Sequence, residues 1–226
     1  MRQSGDVGRP EALASQGGYD GSVSETPEPN EDMPKLKGRS HLPAVCLDID
    51  GVLNPWLGPE SEGFEAHHLH VPASDLPQGS PFLRGHGRED LEMDVFVSRE
   101  HGRWLNALAE KADIYWATTW ETAANLHYGP LLGIGLLETI PHSWWMPTFS
   151  DVKNGDVGHW KREALRDLFA DRPLVWIDDF AYDEGLEFWR GSAPTLVIVP
   201  DGTIGLTREQ MEQVDQFIDG LAISLD

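Results

Sequence analysis

Three short apolar runs, each stopping at polar residues able to do chemistry, constrain this chain most. Ala44-Val45-Cys46-Leu47 stops at Asp48, residues 113–117 stop at Thr118-Thr119, and Leu174-Val175-Trp176-Ile177 stops at Asp178-Asp179. A short continuous apolar run suits a strand covered on both faces, as in a parallel sheet; a half-exposed strand would alternate. Helical patterns separate the runs. Residues 98–112 set Trp104, Leu105 and Leu108 at helical spacing, a short helix follows Glu121 through Asn125, and residues 161–170 and 182–190 read as helices. Residues 133–140 and 195–199 offer two further strands, and Thr207-Arg-Glu-Gln210 has the form of a capping box opening a helix to about Ile218. Strands alternating with helices predict an α/β fold: a doubly wound, mainly parallel sheet with helices on both faces. Such sheets place their site at the carboxyl ends of the strands, near the reversal of strand order. Asp48, Thr118 and Asp178-Asp179 all fall at strand ends.

Two stretches do not fit this alternation. Residues 1–40 are rich in Gly, Ser, Pro and acids with few large apolar residues, and read as a disordered tail ahead of a domain over 41–226. Residues 54–97 repeat Pro, Gly and His without a helical period and read as a long irregular insert. The rest of the composition narrows the partners. Hydrophobic residues make up 40% of the chain, so a packed core is within reach, but 17 Lys and Arg face 38 Asp and Glu for a formal charge of −21. A surface that acidic repels phosphate backbones and anionic membranes at long range. Cys46 is the single cysteine, which excludes an intrachain disulfide and a Cys-rich metal site, and it reads as an inert buried thiol. No apolar run approaches a membrane span and the first residues lack a signal-peptide core, so the expectation is a cytoplasmic protein with no membrane partner.

The chemistry gathers in Asp48-Ile49-Asp50-Gly51. Past a strand end the chain must turn, and Gly51 permits backbone that other residues resist. Such a turn can aim both Asp48 and Asp50 at one volume. A carboxylate can act as a nucleophile and form an aspartyl-phosphate, and a second carboxyl can carry the proton of the leaving group. An ordinary Asp-Gly turn is the plain alternative. Asp178, Asp179 and Asp183 add acids that repel one another unless a cation is present, and Mg²⁺ suits an all-oxygen donor set. Acids in the first turn of a following helix would also explain Asp183. Thr118 or Thr119 can hold a phosphate oxygen, or cap a helix. A lysine, Lys161 or its rival Lys153, can neutralise a transferring phosphoryl group.

The order of these parts resembles the haloacid dehalogenase-like (HAD) hydrolases, over about residues 42–200. The stretches Trp116-Ala-Thr-Thr-Trp-Glu121, Trp160-Lys161 and Trp176-Ile-Asp-Asp179 are similar to a bacterial branch related to a domain of RNA-repair proteins. The resemblance implies a Mg²⁺-dependent phosphohydrolase on a Rossmann-like sheet. It implies Asp48 as nucleophile, Asp50 as general acid/base and backbone Mg²⁺ ligand, Thr118 as phosphate-binding hydroxyl and Lys161 as charge-neutralising lysine. Asp179 is implied as the acidic Mg²⁺ ligand, with Asp178 and Asp183 in support. The acid two residues after the nucleophile marks phosphoryl chemistry, not chloride displacement.

The insert at 54–97 then occupies a cap position, and its composition suggests a loop-like cover over an open site. His67, His68 and His70 within it read as solvated loop histidines or substrate contacts, because a zinc site would need further ligands. Trp144 and Trp145 are candidates for stacking on a base or for packing, while Trp104, Trp116, Trp176 and Trp189 read as core. The expected substrate is a small phosphate monoester such as a nucleotide. The alternatives are a nucleic-acid end, given a local patch of Arg84, Arg88, Arg99 and Arg103, and a phosphate- or Mg²⁺-binding module without turnover.

Overall fold

The computed structural model describes residues 41–56, 63–77, 89–140, 157–181 and 193–223. The chain divides into two units, Met1–Met33 and Pro34–Asp226, and every described residue belongs to the second. The tail at 1–40, the helix at 182–190, Lys153 and Asp183 lie outside the described residues, as do Arg84, Arg88, Trp144, Trp145 and Trp189.

In chain order the elements are β1 (Ala44–Leu47), β2 (Glu65–Val71), β3 (Leu91–Val97), α1 (Arg99–Leu108), β4 (Asp113–Trp116), α2 (Thr122–His127), α3 (Gly129–Leu132), β5 (Glu138–Thr139), α4 (Val157–Leu168), β6 (Leu174–Ile177), β7 (Thr195–Ile198) and α5 (Arg208–Ile223). The main sheet runs β5-β4-β1-β6-β7, and every pairing in it is parallel. From β1 the chain moves outward to β4 and β5, then returns to the other side of β1 for β6 and β7. Strand order therefore reverses at β1, and the crevice beyond the carboxyl ends of β1 and β6 is where such a sheet binds its ligand.

The apolar runs are strands because both faces of the sheet are covered. Val45 and Leu47 point to one core with Ile114, Trp116, Val175 and Ile177, roofed by Leu105 and Leu108 of α1 and by Met211, Val214 and Ile218 of α5. Ala44 and Cys46 point to the other with Tyr115, Leu174 and Trp176, beneath Ala164 and Leu165 of α4. Each buried Val or Leu in such a layer contributes about 1.5–3 kcal/mol. Trp104 is half-buried against the first core. Gly102 lets α1 approach α3 closely, since a Cβ there would lie 1.7 Å from the Leu132 carbonyl oxygen. No described helix is long and apolar enough to cross a membrane.

Several elements differ from their sequence pattern. The strand expected at 133–140 shrinks to Glu138–Thr139. Gly133 at φ 68° closes α3 instead, with the Ile134 N–H donating to the Gly129 carbonyl at 3.1 Å. Asn125 then takes the place of a strand partner, accepting from the Leu137 N–H at 2.9 Å and donating to its carbonyl at 2.8 Å. Helix α4 runs from Val157 to Leu168, so Lys161 lies inside it rather than at its first residue, where the helix expected over 161–170 would put it. The capping box forms: the Thr207 N–H donates to Gln210 Oε1 at 3.0 Å and the Gln210 N–H to Thr207 Oγ1 at 3.3 Å. Helix α5 continues past Ile218 to Ile223.

The insert at 54–97 is not irregular throughout, because it carries the antiparallel pair β2–β3. In β3, Val95 and Val97 are buried in the first core while Glu92 and Asp94 are exposed, and Leu69 and Val71 of β2 join the same core. His67, His68 and His70 are therefore strand residues, not loop residues. His68 pairs with Asp94 at 2.8 Å and with Glu92 at 3.1 Å, and His70 pairs with Glu92 at 2.5 Å, all on the exposed side.

Candidate active site

Asp48 is held by an extension of the sheet. Its N–H donates to the Ile177 carbonyl at 3.0 Å, continuing the β1–β6 ladder by one residue, and the Asp178 N–H donates to the Ile198 carbonyl at 3.2 Å. Both acids thus sit one residue past their strands, each tied to the neighbouring strand by one more ladder hydrogen bond. After Asp48 the chain folds back at once: the Leu53 and Asn54 N–H groups donate to the Ile49 carbonyl at 2.8 and 2.9 Å. Gly51 takes φ 74° within this turn, and a Cβ there would lie 2.2 Å from Asp179 Oδ2. Glycine is required twice over, by conformation and by the closeness of the second acidic motif.

Lys161 sits between two carboxylates. Its Nζ donates to Asp48 Oδ2 at 2.7 Å and also to Asp178 Oδ2. The other oxygen of Asp48 accepts the Ile49 N–H at 2.7 Å. Asp178 further accepts from the Phe180 N–H at 2.9 Å and from Trp176 Nε1 at 3.3 Å. The side chains of Lys161 and Asp178 are 3% and 1% exposed, whereas Asp48 keeps 13%, so of the three only Asp48 reaches the crevice appreciably. Burial works against the Lys161 charge, yet Asp178 and Asp48 outweigh it and hold the ammonium above its ordinary pKa. Burial likewise pushes the Asp178 carboxyl upward, against the pull of Lys161.

Asp50, beside Asp48, is held by donors of its own. Asn54 Nδ2 donates to its Oδ1 at 3.0 Å and Trp120 Nε1 donates to its Oδ2 at 2.9 Å. Burial, reinforced by the Asp48 charge, raises its pKa to about 6 despite these two donors. Thr118 is fully buried after β4, its Oγ1 accepting the Trp120 N–H at 3.5 Å, while Thr119 is half-buried. Glu121, three residues on, adopts φ 47°, a conformation costly for a residue with a Cβ and typical of functional turns.

The sequence-derived candidates thus converge unevenly. Asp48, Asp178 and Asp179 place oxygens within 4.8 Å of one another, the metal-capable group found among the described residues. Asp50, also expected among the metal ligands, adds no carboxylate oxygen to that group; the resemblance assigns its backbone carbonyl there instead. Asp179 Oδ2 accepts from Trp56 Nε1 at 3.2 Å, but its Oδ1 is buried with no hydrogen-bond partner among the described residues. Burial is the main cause that raises the Asp179 pKa. A buried carboxylate oxygen without a donor needs an explanation, and a hard cation supplies one. The residues fit Mg²⁺ with Asp48 and Asp179 as the carboxylates that would hold it, Asp178 supporting Asp48 through Lys161.

Four residues here escaped the sequence reading as members of the site: Asn54, Trp56, Trp120 and Tyr128. Trp120 lay within the quoted Thr-Thr-Trp-Glu stretch, which is the only signal that pointed to it. Tyr128 and Asn54 meet across 74 residues, with Asn54 Nδ2 3.3 Å from the Tyr128 hydroxyl, and no local pattern announces that.

A family described as the HAD domain in Swiss Army Knife RNA repair proteins matches residues 44–211. The match takes in β1 through the first turn of α5, and with it every strand of the sheet and all the acids above. No curated protein and no solved structure matches the chain. With the parallel sheet, the strand-end acids and this match in agreement, the chain belongs to the family of HAD domains found in Swiss Army Knife RNA repair proteins.

Proposed function

We propose that the protein is a Mg²⁺-dependent phosphohydrolase that transfers a phosphoryl group from a phosphate monoester to Asp48 and then to water. One observation carries this reading: Asp48 is partly exposed at the strand-order reversal while Lys161 neutralises it from behind at 2.7 Å. In the first step an Asp48 oxygen bonds to phosphorus and the ester P–O bond breaks. The Asp50 carboxyl gives its proton to the departing oxygen, releasing an alcohol. In the second step Asp50, now a carboxylate, takes a proton from water as the water oxygen bonds to phosphorus. The aspartyl bond breaks and phosphate leaves. A bound Mg²⁺ would supply charge neutralisation for the carboxylates and for the phosphoryl oxygens. Thr118 is the hydroxyl assigned to the phosphoryl group in this reading. A pKa of about 6 suits a group that must both give and take a proton near neutrality.

The test is phosphate release from a panel of phosphate esters, including mononucleotides, with and without Mg²⁺. Release that needs Mg²⁺ and disappears in Asp48→Asn is the expected outcome. Wild-type rates in that variant would mean that another group is the nucleophile. Binding of Mg²⁺ with no hydrolysis of any ester would favour a binding module.

The family match favours a second reading of the substrate, a phosphorylated RNA or DNA end. Charge argues for the smaller molecule, because the chain carries −21 overall. Of the four arginines proposed as a basic patch, Arg99 pairs with Glu65 at 3.5 Å and Arg103 is exposed. Hydrolysis of mononucleotides with no activity on end-phosphorylated oligonucleotides would dispose of the polymer reading.

A further inference from the structure

We infer that Asn54 and Trp120 are positioning residues that clamp the Asp50 carboxyl, and that Asn54 ties that carboxyl to strand β3 of the insert. This rests on the reading of Asp50 as the proton carrier. Each carboxyl oxygen has its own donor, Asn54 Nδ2 at 3.0 Å and Trp120 Nε1 at 2.9 Å. Both donors are themselves held. Asn54 is 8% exposed, and its Oδ1 accepts the Phe96 N–H of β3 at 2.9 Å. Its backbone N–H and carbonyl bond to Ile49 and Gly51 at 2.9 and 2.8 Å. Trp120 is fully buried, its indole edge-on to Tyr128 with ring centroids 5.1 Å apart.

Two fixed donors on two oxygens set both the plane and the distance of a carboxyl, which one donor cannot do. Proton transfer to a leaving group depends steeply on such placement. Neither an amide nor an indole N–H exchanges charge near neutral pH, so the clamp orients Asp50 without competing for its proton. Through the Phe96 bond the same asparagine makes the placement of β3 and that of Asp50 mutually dependent.

The experiment uses the full chain with Mg²⁺ and two probes, an alkyl phosphate and 4-nitrophenyl phosphate. The alkyl leaving group needs a proton and the nitrophenyl group does not, so the alkyl-to-aryl ratio of kcat/KM reports on the acid alone. Asp50→Asn sets the scale for losing it. Asn54→Asp keeps an oxygen for the Phe96 N–H but removes the donor to Asp50, and Trp120→Phe keeps a ring but removes the indole N–H. Both variants are expected to lower the ratio at least about tenfold, in the direction of Asp50→Asn. A merely structural role would slow both probes together. If Asp50→Asn lowers the ratio and neither clamp variant does, the inference falls and the phosphatase reading stands. If Asp50→Asn leaves the ratio unchanged, the proton-carrier role falls and the inference with it. A second readout is independent of turnover: the Trp120 indole N–H resonance, identified by its loss in Trp120→Phe, is expected to shift in Asp50→Asn. An unmoved resonance overturns the clamp even if no ester is hydrolysed.

Discussion

Two networks in this molecule pair a basic side chain with two carboxylates at similar distances, and they differ most in their access to water. At the strand ends Lys161 bridges Asp48 and Asp178, with side chains 3%, 13% and 1% exposed. On the β2–β3 pair His68 bridges Asp94 and Glu92, with side chains 66%, 72% and 54% exposed. The distances are alike, 2.7 Å from Lys161 to Asp48 and 2.8 Å from His68 to Asp94. In high dielectric such contacts are worth little, because each charge was already well solvated and salt screens the pair. In a buried site the same contact couples its members strongly, and removing one leaves the others uncompensated. Geometry alone therefore does not separate the two clusters; desolvation does, and desolvated charge clusters are where functional sites concentrate.

The sharpest way to break this contrast is Lys161→Met. Loss of the cation between two buried carboxylates is expected to cost about 3 kcal/mol of stability. It should also lower kcat by about 10²–10³-fold. Chemical denaturation and turnover measured on the same preparation check both. A stability loss no larger than that of a hairpin variant would mean that burial does not separate the two networks.

Asp50→Asn sharpens the contrast through pH. The Asp50 pKa is raised to about 6, chiefly by burial, from 3.8. The folded state therefore binds this proton more tightly than the unfolded chain does. Its contribution is fully present below the unfolded value and is lost as pH rises through about 6. The loss is on the order of 3 kcal/mol between acid and neutral pH. Stability of the wild type, followed by denaturation across this window, should decline more steeply than that of Asp50→Asn. Parallel curves would place the titration elsewhere.

Gly51→Ala tests how closely the two acidic motifs meet. A methyl group 2.2 Å from Asp179 Oδ2 must push that carboxylate away, against a backbone at φ 74° that already disfavours alanine. The expected result is at least about a tenfold rise in the Mg²⁺ concentration needed for half-maximal turnover, since misplaced supports of a metal site cost 10–100-fold. An unchanged requirement would show that Asp179 holds no metal.

What was legible in the sequence follows the same division. β1, β4 and β6 are readable because burial on both faces leaves apolar runs, and the acids that end those runs mark the crevice. Strand β3 carried a readable signal too, since Leu91, Met93 and Val95 alternate with Glu92 and Asp94 ahead of the apolar Phe96-Val97. The surrounding Pro and Gly, and the three histidines of β2, masked it. Register was beyond reach: nothing local states that His68 faces Asp94 or that His70 faces Glu92. The Trp120 half of the Asp50 clamp was hidden for the same reason, because that donor comes from the turn after β4, whereas Asn54 lies four residues on in the same turn as Asp50. Residues that act through contacts distant in sequence leave no periodic trace.

The smallest effect belongs to the hairpin, and its pH dependence has a different shape from that of Asp50. Hydrogen bonding to Asp94 raises the His68 pKa, and hydrogen bonding to Glu92 raises that of His70. A raised histidine contributes stability that is fully present below its unfolded pKa and is lost as pH rises through the folded value. Hydrogen bonding to His70 lowers the Glu92 pKa, and a lowered carboxyl contributes above its unfolded pKa and fails as pH falls through the folded one. The exposed network is thus strongest between the two windows and fades at either end, whereas the Asp50 contribution is lost in one direction only. Glu92→Gln should reduce stability slightly at pH values between the two, and not at all where the histidines are neutral or the acids protonated. High salt should erase even that difference, because every member is open to solvent. A salt-resistant loss, found by denaturation with and without added salt, would mean that these side chains are shielded from water and that the hairpin belongs with the buried network after all.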